Sequence, residues 1–264
     1  MLSERPRAVD SDSSSKAGDA EWDQKEMTFT EHLRELRNRL MICLVTVTIV
    51  AVCMFYPSIY VIRWMKQEYY PNITLHAFGP VDAVGTMFRF SLYAAIVVGL
   101  PVIMHQMWLF IVPAIHPRTR RMVYKLIAPS VGLAALGIIF CHFVVVPVVI
   151  RGTTFLTSLV ATETYGIGPT LNFILILFLA FALIFQLPMV LIMLARVGLV
   201  SSKSLRTFRR YAIMGSLLAG GIAAPDGQPT TMMLMAAPLF LLYEASIWVI
   251  LLLERSWQRE SAYA

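Results

Sequence analysis

Three polar side chains stand where chemistry is either directional or costly: Glu35 in the charged stretch Thr28–Leu40, and Gln186 and Glu244 inside long apolar runs. A carboxylate such as Glu35, on a charged helix at a membrane surface, can serve a recognition role. It can equally pair with Arg39, four residues on, along a solvated helix face. Spacing leaves both open. A carboxyl at membrane depth is expensive and marks a functional site by default. Glu244 lies close to the end of its run, so it is either protonated there or paired with an arginine at that end. Gln186 precedes Pro188 by two residues, so its amide can bond a carbonyl freed by the proline, or a polar side chain on a visiting helix. His105 and His142 have no ligand-spaced partners and read as packing or interface residues. Cys43, Cys53 and Cys141 fall inside apolar runs without metal spacing and read as small apolar residues. There is no Walker loop, glycine-rich dinucleotide turn, metal-spaced His/Cys set or nucleophile elbow. The sequence therefore predicts no enzyme, no cofactor and no metal.

The elements that must position these groups are membrane helices. The hydrophobic fraction is 58%, charged residues are 14%, and the mean hydropathy is +0.68, a balance few water-soluble domains show. Six apolar runs are read as spans, at about 40–56, 90–113, 126–150, 171–195, 211–225 and 231–253. Four have the roughly 20 residues that a helix needs to cross the hydrocarbon core, the first is marginal and the fifth is short. Pro101, Pro129, Pro147, Pro188 and Pro238 sit within runs, and each invites a kink. Curved helices of this kind would form a concave wall, a groove for another helix or a lipid-filled hollow.

Orientation follows from Lys and Arg. With the N-terminus in the cytoplasm, segments 1–39, 114–125, 196–210 and 254–264 hold 18 of the 22 basic residues. That asymmetry predicts an N-in, C-in chain with an even number of spans. It also explains the net charge of +6 without nucleic acid. Residues 1–27 are polar and lack an apolar h-region, so they read as a disordered cytoplasmic tail and not as a cleavable signal peptide. Residues 255–264 form a second short cytoplasmic tail. Phe29, Leu33, Leu36 and Leu40 share one helical face, and Thr28-x-x-Glu31 reads as a capping box. Such a helix suits a membrane surface, leucines toward the acyl boundary and charges in water. Asp82, two residues after Pro80, reads as the cap of a short helix leading into the second span.

The order of motifs resembles a known family. It begins at His32-Leu33-Arg34-Glu35-Leu36-Arg37-Asn38-Arg39-Leu40 and continues through Pro101, Gln106-Met107-Trp108-Leu109-Phe110-Ile111-Val112-Pro113-Ala114 and Arg120-Arg121. It ends with Phe185-Gln186-Leu187-Pro188, Arg209-Arg210-Tyr211, Ala224-Pro225-Asp226 and Pro238-Leu239-Phe240-Leu241-Leu242-Tyr243-Glu244. Over residues 28–254 the chain resembles TatC, the multi-pass subunit of the twin-arginine protein translocase. The resemblance implies an all-α, six-span protein of the cytoplasmic (inner) cell membrane. It would bind twin-arginine signal peptides of folded precursors, recruit single-span TatA and TatB type subunits, and use the proton-motive force. It would contact membrane lipid and form a homo-oligomer within a receptor complex. Carried over by residue, signal-peptide binding falls to Glu35, Arg37, Phe110, Pro113, Thr119, Arg120 and Arg121. Partner-helix contacts fall to Gln186, Pro188 and Glu244, and an outer-side role to Asp226. Two positions depart from the family pattern. Thr119 stands where many members carry a glutamate before the arginine pair, and Gln186 where the fourth span often has one. The rival readings are a proton-coupled secondary transporter with a midplane site at Glu244 and Gln186, which the lack of an apparent inverted repeat disfavours, and a structural scaffold for other membrane proteins.

Overall fold

The computed structural model describes residues 29–71, 73–111, 117–159, 164–223 and 229–262. The chain divides into two compact units, Met1–Asn38 and Arg39–Ala264. Helix α1, Phe29–Phe55, starts with Glu31 in its first turn, where a carboxylate favours the helix dipole. It has no break at Leu40, so the charged stretch and the first span form one helical element. Thr46 and Thr48 lie in its apolar run and return their hydroxyls to the carbonyls of Ile42 and Leu44, each at 2.8 Å, which satisfies them without a partner. Leu40, Leu44, Ile49 and Val52 are exposed, as apolar side chains on a membrane helix are.

Pro57 stops α1 and stands at the N-cap of α2, Ser58–Tyr69. This helix lies where the sequence predicts an outer loop. Its Ile62 and Met65 are buried, while Arg63, Lys66 and Glu68 face out. The two-residue strands β1, Leu75–His76, and β2, Tyr165–Gly166, pair in parallel and tie together two loops that the sequence leaves separate.

Helix α3, Asp82–Ile111, carries Pro101 inside it. Asp82 is its first residue, and its Oδ2 accepts from the amides of Phe78 at 2.8 Å and Gly79 at 2.9 Å. The expected short capped helix is therefore the beginning of the span itself. Helix α4, Pro117–Phe140, passes through a π-helical turn at Cys141–Val145 into α5, Val146–Ser158. Helix α6, Ile167–Ile184, breaks at Phe185–Gln186 and resumes as α7, Leu187–Arg196. The five membrane prolines are placed differently. Pro188 lies in the first turn of α7, after a break, where no amide is required, and Pro147 stands just past the π turn. Pro101, Pro129 and Pro238 remain inside continuous helices. A short helix α8, Ser202–Thr207, precedes α9, Arg209–Ala223, and the last helix is α10, Pro229–Ala262.

Helices α3, α4 and α6 pack against one another, α10 against α7, and α9 against α10. The core includes Phe90, Leu100, Cys141, Val145, Leu171, Ile174 and Phe181. Two glycines set the closest approaches. A Cβ at Gly137 would stand 2.7 Å from the Phe181 carbonyl oxygen, and one at Gly220 would stand 2.6 Å from that of Met232. Small residues at such crossings let membrane helices approach backbone to backbone. Among the described residues five helical stretches are long and apolar enough to cross a membrane: Thr30–Phe55, Asp82–Phe110, Ile127–Ser158, Ile167–Arg196 and Thr231–Glu254. The protein is an all-α membrane protein. Helix α9, with 15 residues, reaches roughly 22 Å against a core of roughly 30 Å.

Candidate functional site

In the first unit, Glu35 is half-buried on α1, while Arg34 and Arg37 are exposed beside Leu33 and Leu36. The helical frame puts Leu33, Leu36 and Leu40 on one stripe, which leaves Arg34, Glu35 and Asn38 off it.

The second unit begins with Arg39, whose Nη1 donates to Gln106 Oε1 at 3.2 Å. That bond fixes the start of α1's apolar run to the last turns of α3. One turn further along α3, Phe110 is half-buried. Beneath it the buried side chains of Met104 and Trp108 pack with Met189 and Met193 of α7. The end of α3 that leads to the first basic loop is therefore anchored on the Pro188 helix. Thr119, Arg120 and Arg121 fall on the first turns of α4, and their side chains lie outside the described residues. So do Pro113 and Asp226.

Gln186 is buried at the α6–α7 break, and its partner is Ser130 on α4. Ser130 Oγ donates to Gln186 Oε1 at 2.7 Å, and Gln186 Nε2 donates to the Ser130 carbonyl at 3.1 Å. Within this chain the amide does not bond a carbonyl freed by Pro188. It bridges a neighbouring helix within the same chain. Pro188 is buried beside it. Glu244 pairs with an arginine, one of the two readings the sequence left open. Arg209 Nη2 donates to Glu244 Oε2 at 2.7 Å, and Arg209 Nε stands 2.7 Å from Oε1. Glu244 and Gln186 are each bonded elsewhere, and no hydrogen bond joins them among the described residues.

Around Arg209 the segment 201–209 is clamped to α10 at two further points. Tyr243 donates to the Leu205 carbonyl at 2.7 Å. Glu254 accepts from the Ser202 amide at 2.9 Å and from its hydroxyl, a carboxylate at the start of α8 where the helix dipole favours it. Leu205, Ile247 and Ile250 bury against Ile192 and Ala195 beneath. The basic loop before α9 is thus a fixed platform.

At the other end of α4, the Tyr69 hydroxyl hydrogen-bonds His142 Nδ1 at 2.5 Å, and Trp64 stacks on the same imidazole with centroids 5.4 Å apart. The π turn presents His142 to α2, so this histidine packs within the chain. Burial, and next the nearby Tyr165, pushes the Tyr70 phenol up to about 12, so it stays neutral at any physiological pH.

Sequence reasoning missed Ser130, Gln106 and Glu254. Each is a polar residue near or inside an apolar run, a signal that called for a partner. Separations of 56, 67 and 52 residues concealed which. Among the described residues no three His, Cys, Asp or Glu side chains come together as metal ligands.

Residues 31–238 match the family described as Sec-independent protein translocase protein (TatC). The TatC protein of Aquifex aeolicus is 36% identical over 229 residues, which cover 84% of this chain and 94% of the relative. The TatC of Halalkalibacterium halodurans is 29% identical over 238 residues, 89% of this chain and 94% of the relative. A crystal structure of the twin arginine translocase receptor TatC superposes with a TM-score of 0.72 at 34% identity, covering 84% of this chain and 99% of that one.

Proposed function

The chain belongs to the TatC family of Sec-independent protein translocase proteins, and on that premise we propose that it is the receptor that captures twin-arginine signal peptides on folded precursors. It is a multi-pass membrane protein and a component of a protein translocase. The proposal adds the substrate, the partners and the energy source: single-span TatA and TatB type subunits join it, and the proton-motive force drives passage. It also adds topology: N-in and C-in with six spans, α9 supplying the short one.

The observation that carries the reading is Glu35. It is a carboxylate set beside exposed Leu33 and Leu36, on the same helix that becomes the first span. A membrane-surface carboxylate is suited to accept a guanidinium from a peptide that itself arrives at the membrane. Signal-peptide binding is likewise assigned, by the family resemblance, to Arg37, Phe110, Pro113, Thr119, Arg120 and Arg121. The partner role carried over to Gln186, Pro188 and Glu244 requires the internal bonds of Gln186 and Glu244 to open. The exposed stripe of α9, Tyr211, Met214, Leu218 and Ile222, offers a partner helix a surface without that cost. Asp226 is assigned to the outer side of the proposed topology.

The test is a double-mutant cycle between Glu35 and the signal-peptide arginines, read by peptide binding in detergent. A charged hydrogen bond contributes roughly 1.5–3 kcal/mol, so Glu35→Gln should weaken binding by about 10- to 150-fold. Arg→Lys changes in the peptide should then cost less in that background, because lysine lacks the bidentate fork. Zero coupling in a folded, inserted variant leaves Glu35 as a helix-surface residue only.

A further inference from the structure

The apolar stretch of α3 begins at Phe90, and the 21 residues 90–110 are uncharged apart from His105. At 1.5 Å per residue they span roughly 31 Å, the thickness of the hydrocarbon core. Arg89 therefore stands at the boundary where lipid glycerol and phosphate groups lie. It is exposed and makes no hydrogen bond or ion pair with the described residues. Its neighbours are apolar and equally exposed: Phe88 at 63%, Val84 at 56% and Phe55, at the end of α1, at 39%. These residues line a cleft of about 500 Å³, within the range of sites that hold small molecules, about 300–1,000 Å³. Gly85 lies in its wall, with open space where a Cβ would stand. Asp82 lines the same cleft.

A cation without a hydrogen-bond or ion-pair partner among the described residues, at phosphate depth beside exposed apolar side chains, has the chemistry of a phospholipid site. Guanidinium matches phosphate oxygens bidentately. Asp82 narrows the headgroup. Its Oδ2 is held by two backbone amides, and Oδ1 has no hydrogen-bond partner among the described residues. Asp82, Gly85 and Arg89 lie at i, i+3 and i+7 on one face of α3. Asp82 and Arg89 are roughly 10 Å apart along the axis, a gap that the long arginine side chain, leaning toward the helix N-terminus, shortens. A headgroup with only negative charge meets repulsion from Asp82. One with both a phosphate and an ammonium meets an opposite charge at each end.

We propose that the cleft between the end of α1 and the first turns of α3 binds one phospholipid with an ammonium-bearing headgroup. The phosphate sits on Arg89, the ammonium lies toward Asp82, the headgroup packs against Phe88, Val84 and Phe55, and the acyl chains run inward past Phe90. The site belongs to the leaflet at the Asp82 end of α3 and does not depend on signal-peptide binding.

The experiment uses the full chain reconstituted in nanodiscs of equimolar phosphatidylethanolamine and phosphatidylglycerol, then released into detergent for native mass spectrometry. The unaltered protein should retain phosphatidylethanolamine in preference to phosphatidylglycerol. Arg89→Gln should lower retention about tenfold, the loss of one charged hydrogen bond at the weaker end of its range. Arg89→Lys should fall between. Asp82→Asn keeps an acceptor for the Phe78 and Gly79 amides, so it should retain lipid but lose the preference. Circular dichroism establishes that each variant is folded. Unchanged retention in Arg89→Gln overturns the proposal and leaves Arg89 snorkelling to water. A preference for phosphatidylglycerol in the unaltered protein, or a polypeptide displacing lipid from the cleft, overturns it as well.

Discussion

Replacing Gln186 by leucine tests whether this amide serves the fold or a visiting helix. The substitution deletes two hydrogen bonds to Ser130, at 2.7 and 3.1 Å, both between buried groups. Interhelical hydrogen bonds in membrane proteins average about 0.6 kcal/mol and reach about 1.7, so two contribute roughly 1–3 kcal/mol. The upper end is not expected, because a stranded Ser130 hydroxyl can turn back to a carbonyl of its own helix. Gln186→Leu should therefore destabilise the protein by about 1–2 kcal/mol, and Ser130→Ala by less, since it leaves the bond to the Ser130 carbonyl in place. In a double-mutant cycle read by reversible unfolding in mixed detergent micelles, the pair should show a coupling of about 0.5–1.5 kcal/mol. Copurification of single-span subunits should follow stability and nothing more. A coupling near zero, with loss of the subunits from a fully stable Gln186→Leu protein, would refute the internal role and return Gln186 to the partner interface. Gln186→Glu sharpens the test. A carboxylate can accept from the Ser130 hydroxyl but faces the Ser130 carbonyl with like charge. It should be less stable than the parent at neutral pH and recover as pH falls and the acid protonates.

Three further outcomes follow from the geometry. Gly220→Leu would force the α9–α10 backbones apart, so abundance should fall sharply, whereas Gly215→Leu, which has open space at its Cβ, should be tolerated; immunoblotting of membranes reads both. The Arg209–Glu244 pair is partly exposed at 43% and 20%, so Glu244→Gln should cost only about 1 kcal/mol or less, while Arg209→Glu places two carboxylates together and should be rescued by adding Glu244→Arg, measured as thermal stability in detergent. Cysteines at 72 and 160 should react with an impermeant maleimide in intact cells, and cysteines at 118 and 204 only after permeabilisation; labelling at 118 from outside would overturn the N-in assignment.

The class of fold was legible because periodicity and composition act locally. An apolar run of 20 residues has few alternatives to a span, and Pro57 could only stop α1. What escaped was amphipathic or long-range. Ser58–Tyr69 carries Arg63, Lys66 and Glu68, so it reads as a loop until Ile62 and Met65 are seen buried at helical spacing. The prolines were legible as perturbations, yet only the packing distinguishes Pro188, which restarts a helix after a break, and Pro147, which follows a π turn, from those absorbed within a helix. Glu244 was partly legible. An arginine-rich segment at that end of its run made pairing a natural solution, and Arg209 supplies it. Gln186 was not, because Ser130 sits 56 residues away and a serine in an apolar run gives no sign of its partner.

The short helix α9 joins these observations. At roughly 22 Å it is about 8 Å short of the hydrocarbon core. Matching it by thinning the bilayer costs fractions of a kcal/mol per Å, so the shortfall amounts to a few kcal/mol. Contacts that a longer helix would not need hold α9 in place. Gly220 brings its backbone against Met232 of α10, Arg209 fixes its start to Glu244, and Tyr243 and Glu254 hold the segment before it. The opposite stripe, Tyr211, Met214, Leu218 and Ile222, remains exposed. On the proposed six-span topology, a helix anchored firmly on one side and too short for its bilayer leaves compressed lipid along the other. On that topology, a partner helix of the kind proposed would, by displacing this lipid, recover part of the mismatch energy as well as its own packing. On the proposed topology, the same 15 residues that fall short of a free-standing span would thereby favour a partner on the open face of α9.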